Sequence, residues 1–106
     1  MSLDVHLIED DGEVYWANIT HNLNTMAGHA GIYKYLWRPD EIGVTKAREL
    51  IEPLRAGLRD LTERPTYFEG FNAENGWGKY EHFVPFVAKY LEACIAHPDA
   101  RVNVSR

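Results

Sequence analysis

Leu3, Val5 and Leu7 alternate with Asp4 and His6, a period of two that predicts a strand with one buried face from about Ser2 to Ile8. Asp11-Gly12 follows and precedes a β-rich stretch from Glu13 to Ala17; Asp-Gly supplies the positive φ of a tight hairpin turn, so the two strands form a hairpin. The period then changes. Ile19, Leu23, Met26, Ala27 and Ala30 fall on one face of a helix, with Asn18 as its N-cap and Gly31 as its stop. An aromatic turn from Ile32 to Pro39 leads to a second helix, capped by Thr45, whose stripe is Ala47, Leu50, Ile51, Leu54, Leu58 and Leu61; Pro53 is expected to kink it, having no N–H for the Glu49 carbonyl. A loop through Asn72 to Gly78 reaches a third helix with Phe83, Val87, Tyr90, Leu91 and Cys94 inward and Pro85 near its first turns, ended by His97-Pro98. Val102 and Val104 then alternate with polar residues as a short last strand.

Two strands, three helices and one strand define an α+β fold: a three-stranded sheet made of the hairpin and the C-terminal strand, with three helices on one face. At 106 residues, with neither a repeat nor a low-complexity linker, residues 1–106 form a single domain. Hydrophobic residues at 45% and charged residues at 25% exclude a disordered chain.

Charge narrows the function. Eleven Lys and Arg against sixteen Asp and Glu leave a net charge of −5, which disfavours general nucleic-acid binding. The acidic run Glu9, Asp10, Asp11 and Glu13 reads as a solvated turn. Cys94 is the one cysteine, so no intrachain disulfide forms, and neither a signal region nor a bilayer-spanning run is present; the expected setting is a reducing cytoplasm, without membrane contact.

No catalytic or metal motif of high specificity occurs, so no catalytic residue, metal or cofactor is assigned. His21 and His29 stand about 12 Å apart along a helix axis, too far for one ion. Asp4 and His6, two apart on a strand, read as surface residues more than as an acid–base pair. Three segments carry candidate binding chemistry. Asn18, His21 and Asn22 belong to a polar helix side, with Thr25 and His29, that holds amides and imidazoles where lysine and glutamate are usual. Trp37-Arg38-Pro39 puts an indole beside a guanidinium, able to stack on a ring and meet an anion, although the favoured reading has Trp37 cover the end of the core while Arg38 pairs with Asp40 or Glu41. Asn72, Asn75 and Trp77 lie in Asn72-Ala73-Glu74-Asn75-Gly76-Trp77-Gly78, where glycine permits positive φ and amides can read a polar edge.

Ala17-Asn18-Ile19-Thr20-His21-Asn22-Leu23, Gly31-Ile32-Tyr33 with Leu36-Trp37-Arg38-Pro39, Phe71-Asn72 with Asn75-Gly76-Trp77-Gly78, and Tyr90-Leu91-Glu92-Ala93-Cys94 resemble a group of small phage and prophage proteins without an assigned function. The resemblance spans nearly the whole chain. Some members of that group carry a Cys-x-x-Cys insertion between the first strand and the first helix; here the acidic turn stands in its place, so a zinc role there is absent. The resemblance implies a viral or prophage origin and a bacterial host cytoplasm, and supplies no activity.

Three classes of function follow. The first is a small-ligand binding protein for a nucleotide or similar planar anion, with Trp37 or Trp77 stacking, Arg38 meeting charge, and Asn18, His21, Asn22, Asn72 and Asn75 selecting polar edges in one shared hollow. The second is an interaction protein that inhibits a host factor through exposed aromatics and the acidic turn. The third and least favoured is a hydrolase using His21, or Asp4 with His6. The corresponding partners are a small molecule or nucleotide, a host protein, or a second copy of the chain.

Overall fold

A computed structural model describes residues 2–10, 12–73 and 76–106. Its elements are β1 (Ser2–Glu9), β2 (Gly12–Thr20), α1 (Asn24–His29), α2 (Tyr33–Trp37), α3 (Arg48–Glu63), α4 (Pro65–Glu69), α5 (Tyr80–Ala96) and β3 (Arg101–Ser105), with 3₁₀ turns at His21–Leu23 and Pro39–Ile42. The α+β class is as the sequence dictates. The sheet is antiparallel in the order β2-β1-β3, so the first strand is central.

Leu3, Val5 and Leu7 point to the helices and are fully buried, opposite Ile19, Ala17 and Tyr15 of β2. Asp4 and His6 sit on the other face, opposite Asn18 and Trp16 of β2 and Ser105 and Asn103 of β3. Both are partly exposed, and Trp16 is 55% exposed. The two do not act together: Asp4 accepts from the Asn18 amide at 2.6 Å, and His6 pairs with Glu13. The hairpin forms as expected, with Gly12 at φ +124°; its Asp11 lies outside the described residues.

The first helix begins later than its periodicity suggests. Asn18 is in β2 and caps nothing, and Ile19 is a core residue of the strand opposite Leu3. Ile19 fits both a period of two with Ala17 and a period of four with Leu23, and pairing with β1 decides between them. Thr20 caps the 3₁₀ turn His21–Leu23 that leads into α1, its hydroxyl accepting from the Asn22 N–H at 3.3 Å, and α1 itself has no side-chain cap. At the other end Gly31 takes φ +76° and stops α1 as predicted. The aromatic turn contains the short helix α2, and α4 lies between the end of the second predicted helix and the Asn72–Gly78 loop, where the periodicity predicts no element.

α3 and α5 are the long helices beneath the sheet. α3 runs through Pro53 as one helix. Thr45 does not cap it with its hydroxyl; Glu49 reaches back, accepting from the Lys46 N–H at 3.1 Å and the Thr45 N–H at 3.3 Å, and these bonds hold its carboxylate pKa below the usual value. On α5, Tyr90 is fully buried and stacks on Tyr15 with ring centroids 6.0 Å apart. Cys94 beside it is fully buried too, and burial pushes its thiol pKa up to about 12. Iodoacetamide at pH 8 should therefore leave the folded protein unmodified while alkylating it fully in denaturant. Rapid labelling of the native chain, read by intact mass, would contradict this burial.

The two sheet edges are treated differently. At the start of β3, the Val102 N–H donates to the Thr45 carbonyl at 2.9 Å, the Ala47 N–H to the Ala100 carbonyl at 2.9 Å, and Lys46 bridges to Arg101, so residues 45–47 pair with the first part of that edge. Among the described residues no backbone group of another element bonds to β2 beyond its pairing with β1.

Candidate functional site

A groove with an aromatic side chain at its rim is built where β2 gives way to helix. The Thr20 cap turns the chain so that the Asn22 side-chain amide donates to the Trp77 carbonyl at 2.8 Å, tying together segments 55 residues apart. The loop that arrives there is shaped by glycine. Gly78 has φ +113°, and a Cβ on it would lie 2.9 Å from Cβ of Asn22 and 3.3 Å from Cγ2 of Thr20, so a side chain there would push the loop off β2. The Ala73 N–H donates to the Gly78 carbonyl at 3.0 Å and the Gly76 N–H to the Ala73 carbonyl at 3.1 Å, closing the loop on itself.

The result is a groove of about 530 Å³ whose polar walls are Ser2, Asn18, Thr20, Asn22 and His82, with Trp77 at its rim. Trp77 is 72% exposed. Asn18 is held by donating to the Ser2 hydroxyl at 2.8 Å and to Asp4 at 2.6 Å. His82 stands in the first turn of α5, where the helix presents its positive end. A wider depression of about 640 Å³ at the hairpin tip sets Glu9, Asp10 and Asp99 against Lys46 and Arg101; it has no aromatic side chain, and Asp99 is engaged by Arg48.

Of the residues singled out from sequence, Asn18, Asn22 and Trp77 meet in the groove. Trp37 does not. It is 3% exposed, stacked on Tyr33 with centroids 5.6 Å apart, and packed by the edge of His21 at 6.3 Å. Burial of its large apolar ring outweighs any ligand role. His21 turns inward with it, and the His21 Nε2 and Trp37 Nε1 atoms are buried without a hydrogen-bond partner among the described residues. Arg38 lies away from the groove, donating to the Tyr33 hydroxyl at 3.1 Å and to Glu41 at 2.6 Å; these two bonds raise its pKa further. Asp40 is taken by Arg106 at 2.9 Å. Asn72 is structural: its side-chain oxygen accepts from the Tyr80 N–H at 2.7 Å, satisfying an otherwise orphaned donor at the start of α5. Asn75 lies outside the described residues. The single hollow expected from sequence is thus divided, and its aromatic-guanidinium part belongs to the core and to a separate surface.

Ser2, Thr20 and His82 are the groove residues that sequence reasoning passed over. His82 precedes the buried Phe83 of α5, and its place follows from the glycine loop only once that loop is seen to fold onto Thr20. Among the described residues no three His, Cys, Asp or Glu side chains come together as a metal site, and no helix is long and apolar enough to cross a membrane. Comparison with known protein families, curated proteins and solved structures finds no match to this chain.

Proposed function

We propose that this chain is a binding protein whose groove holds a planar polar small molecule of the nucleobase class, the ring lying on Trp77. The observation that carries this reading is the pairing of a 72% exposed indole with a groove of about 530 Å³ walled by hydroxyl, amide and imidazole groups. Small-molecule pockets are roughly 300–1,000 Å³ and combine an apolar platform with a few fixed polar groups. Asn18, already oriented by Ser2 and Asp4, would read the ring edge; Thr20 and Ser2 add hydroxyls. Without Arg38, His82 and the amino end of α5 are what would meet a phosphate, so charge is a secondary determinant and the ring the primary one. Through the likeness to small phage proteins, such a ligand would be one met in a bacterial host.

Titration of the purified protein with adenosine, guanosine and their monophosphates tests it by thermal shift and tryptophan fluorescence. One of these ligands at a hundred times its dissociation constant should add about 2.7 kcal/mol of stability. Trp77→Ala should weaken binding roughly 10- to 100-fold, the value of one base–aromatic stack, while Trp16→Ala binds as the parent does. No shift with any of the four, or undiminished binding by Trp77→Ala, defeats the reading.

A further inference from the structure

We infer that β2 is a self-association edge: two copies of the chain pair β2 against β2 antiparallel, about a two-fold axis near Trp16 and Ala17, and continue the sheet to six strands. The contrast between the edges motivates it. Residues 45–47 bond to the Ala100–Val102 end of β3, whereas no backbone group of another element among the described residues bonds to the outer edge of β2, a nine-residue strand with the Gly78 loop against its Thr20 end only. Exposed strand edges are ordinarily protected by lysine, proline or a bulge. β2 has one irregularity, at Val14 between the partners of Leu7 and Ile8, and from Tyr15 to Thr20 it is regular and carries neither charge nor proline.

Charge selects a second copy as the occupant. The chain is at −5, yet β2 carries no charge beyond Glu13, which belongs with Glu9 and Asp10 to the acidic tip at one end of it. Antiparallel pairing sends the two tips to opposite ends of the seam. With the axis at Ala17 the two Glu13 residues stand about 27 Å apart at 3.4 Å per residue, well beyond a Debye length of about 8–10 Å. Each tip instead approaches the Thr20 end of the other copy, where the groove's His82 stands.

Side chains agree with this placement. Of the six large hydrophobic residues exposed among the described residues, Val14, Trp16 and Trp77 all belong to β2 or to the loop against its Thr20 end. In the pair, Val14 lies beside Asn18 or Thr20 of the other copy, on the side where Trp77 projects, and Trp16 meets Trp16 or Asn18 on the open face. The half-buried Tyr15 and Ala17 extend the core-side face across the seam. The Trp16 indole supplies about 150 Å² per copy, roughly a quarter of the ~1,200 Å² total of a stable interface once both copies are counted, and the paired backbones, Val14 and Tyr15 are left to provide the rest.

Sedimentation velocity on the full chain up to about 100 μM decides the matter. The expected species has twice the 12.2 kDa chain mass. Trp16→Lys and Val14→Lys, both at exposed positions, should keep the circular dichroism of the parent and raise the dissociation constant roughly tenfold or more, while Ile95→Lys, at an equally exposed site on α5, should not. Hydrogen exchange should show β2 amides protected in the dimer and released in Trp16→Lys. A parent that stays monomeric overturns the inference, including one whose β2 amides gain protection only from a foreign peptide. So does a dimer that survives both lysine variants, or one that Ile95→Lys breaks.

Discussion

Trp37→Ala should cost about 3–5 kcal/mol of folding stability, while Trp77→Ala costs about 1 kcal/mol or less. Urea denaturation followed by circular dichroism compares the two directly. The physical difference is burial: Trp37 is 3% exposed between Tyr33 and His21, and its removal leaves a cavity that close-packed neighbours fill only in part. Trp77 is 72% exposed. The ordering should reverse for ligand affinity, because only Trp77 lines the groove. Equal destabilisation by the two substitutions would show that Trp77 is a packing residue, and the proposed binding function would lose its platform.

Gly57→Ala should destabilise the fold by about 1–3 kcal/mol, although alanine is the better helix former by about 1 kcal/mol. Gly57 is buried in the middle of α3, where a Cβ would stand 2.5 Å from Cγ2 and 3.1 Å from Cδ1 of Ile32. Ile32 is 1% exposed, and its Cγ2 is fixed next to the backbone, so it cannot swing aside as a long flexible side chain would. Ile32→Ala removes the obstructing methyl. In a double-mutant cycle the cost of Gly57→Ala should fall by roughly 1 kcal/mol or more when Ile32 is already alanine. A stabilising Gly57→Ala would mean that α2 and α3 do not approach so closely.

Ile32 and Gly57 also show why part of the structure was legible and part was not. Leu3, Val5 and Leu7 can be buried together only as a strand, and Leu50, Leu54 and Leu61 only as a helix face, so β1 and α3 follow from spacing alone. Ile19 satisfies both periods, and its assignment depends on Leu3 opposite it, a contact spacing cannot express. Gly57 reads locally as a weak point of a helix, and its purpose is visible only with Ile32 against it. The site divides along the same line. Asn18, Asn22 and Trp77 carry polar or aromatic chemistry that was visible at once, and the Asn22 amide does bring the Trp77 loop to β2. Trp37-Arg38 shows the same chemistry and has the opposite fate, because an indole serves a core as well as a ligand and only its neighbours decide.

The central strand is the first along the chain, and its two partners come to it from very different distances in sequence. β2 joins across a short turn, but β3 arrives only after both long helices. Until residue 101 has been synthesised, the flank of β1 opposite the hairpin has no mate, and Val5 and Leu7 are sealed on one side only. A chain cut before Arg101 should accordingly be a sticky, slowly collapsing species, even though the segment it lacks contributes no fully buried side chain of its own.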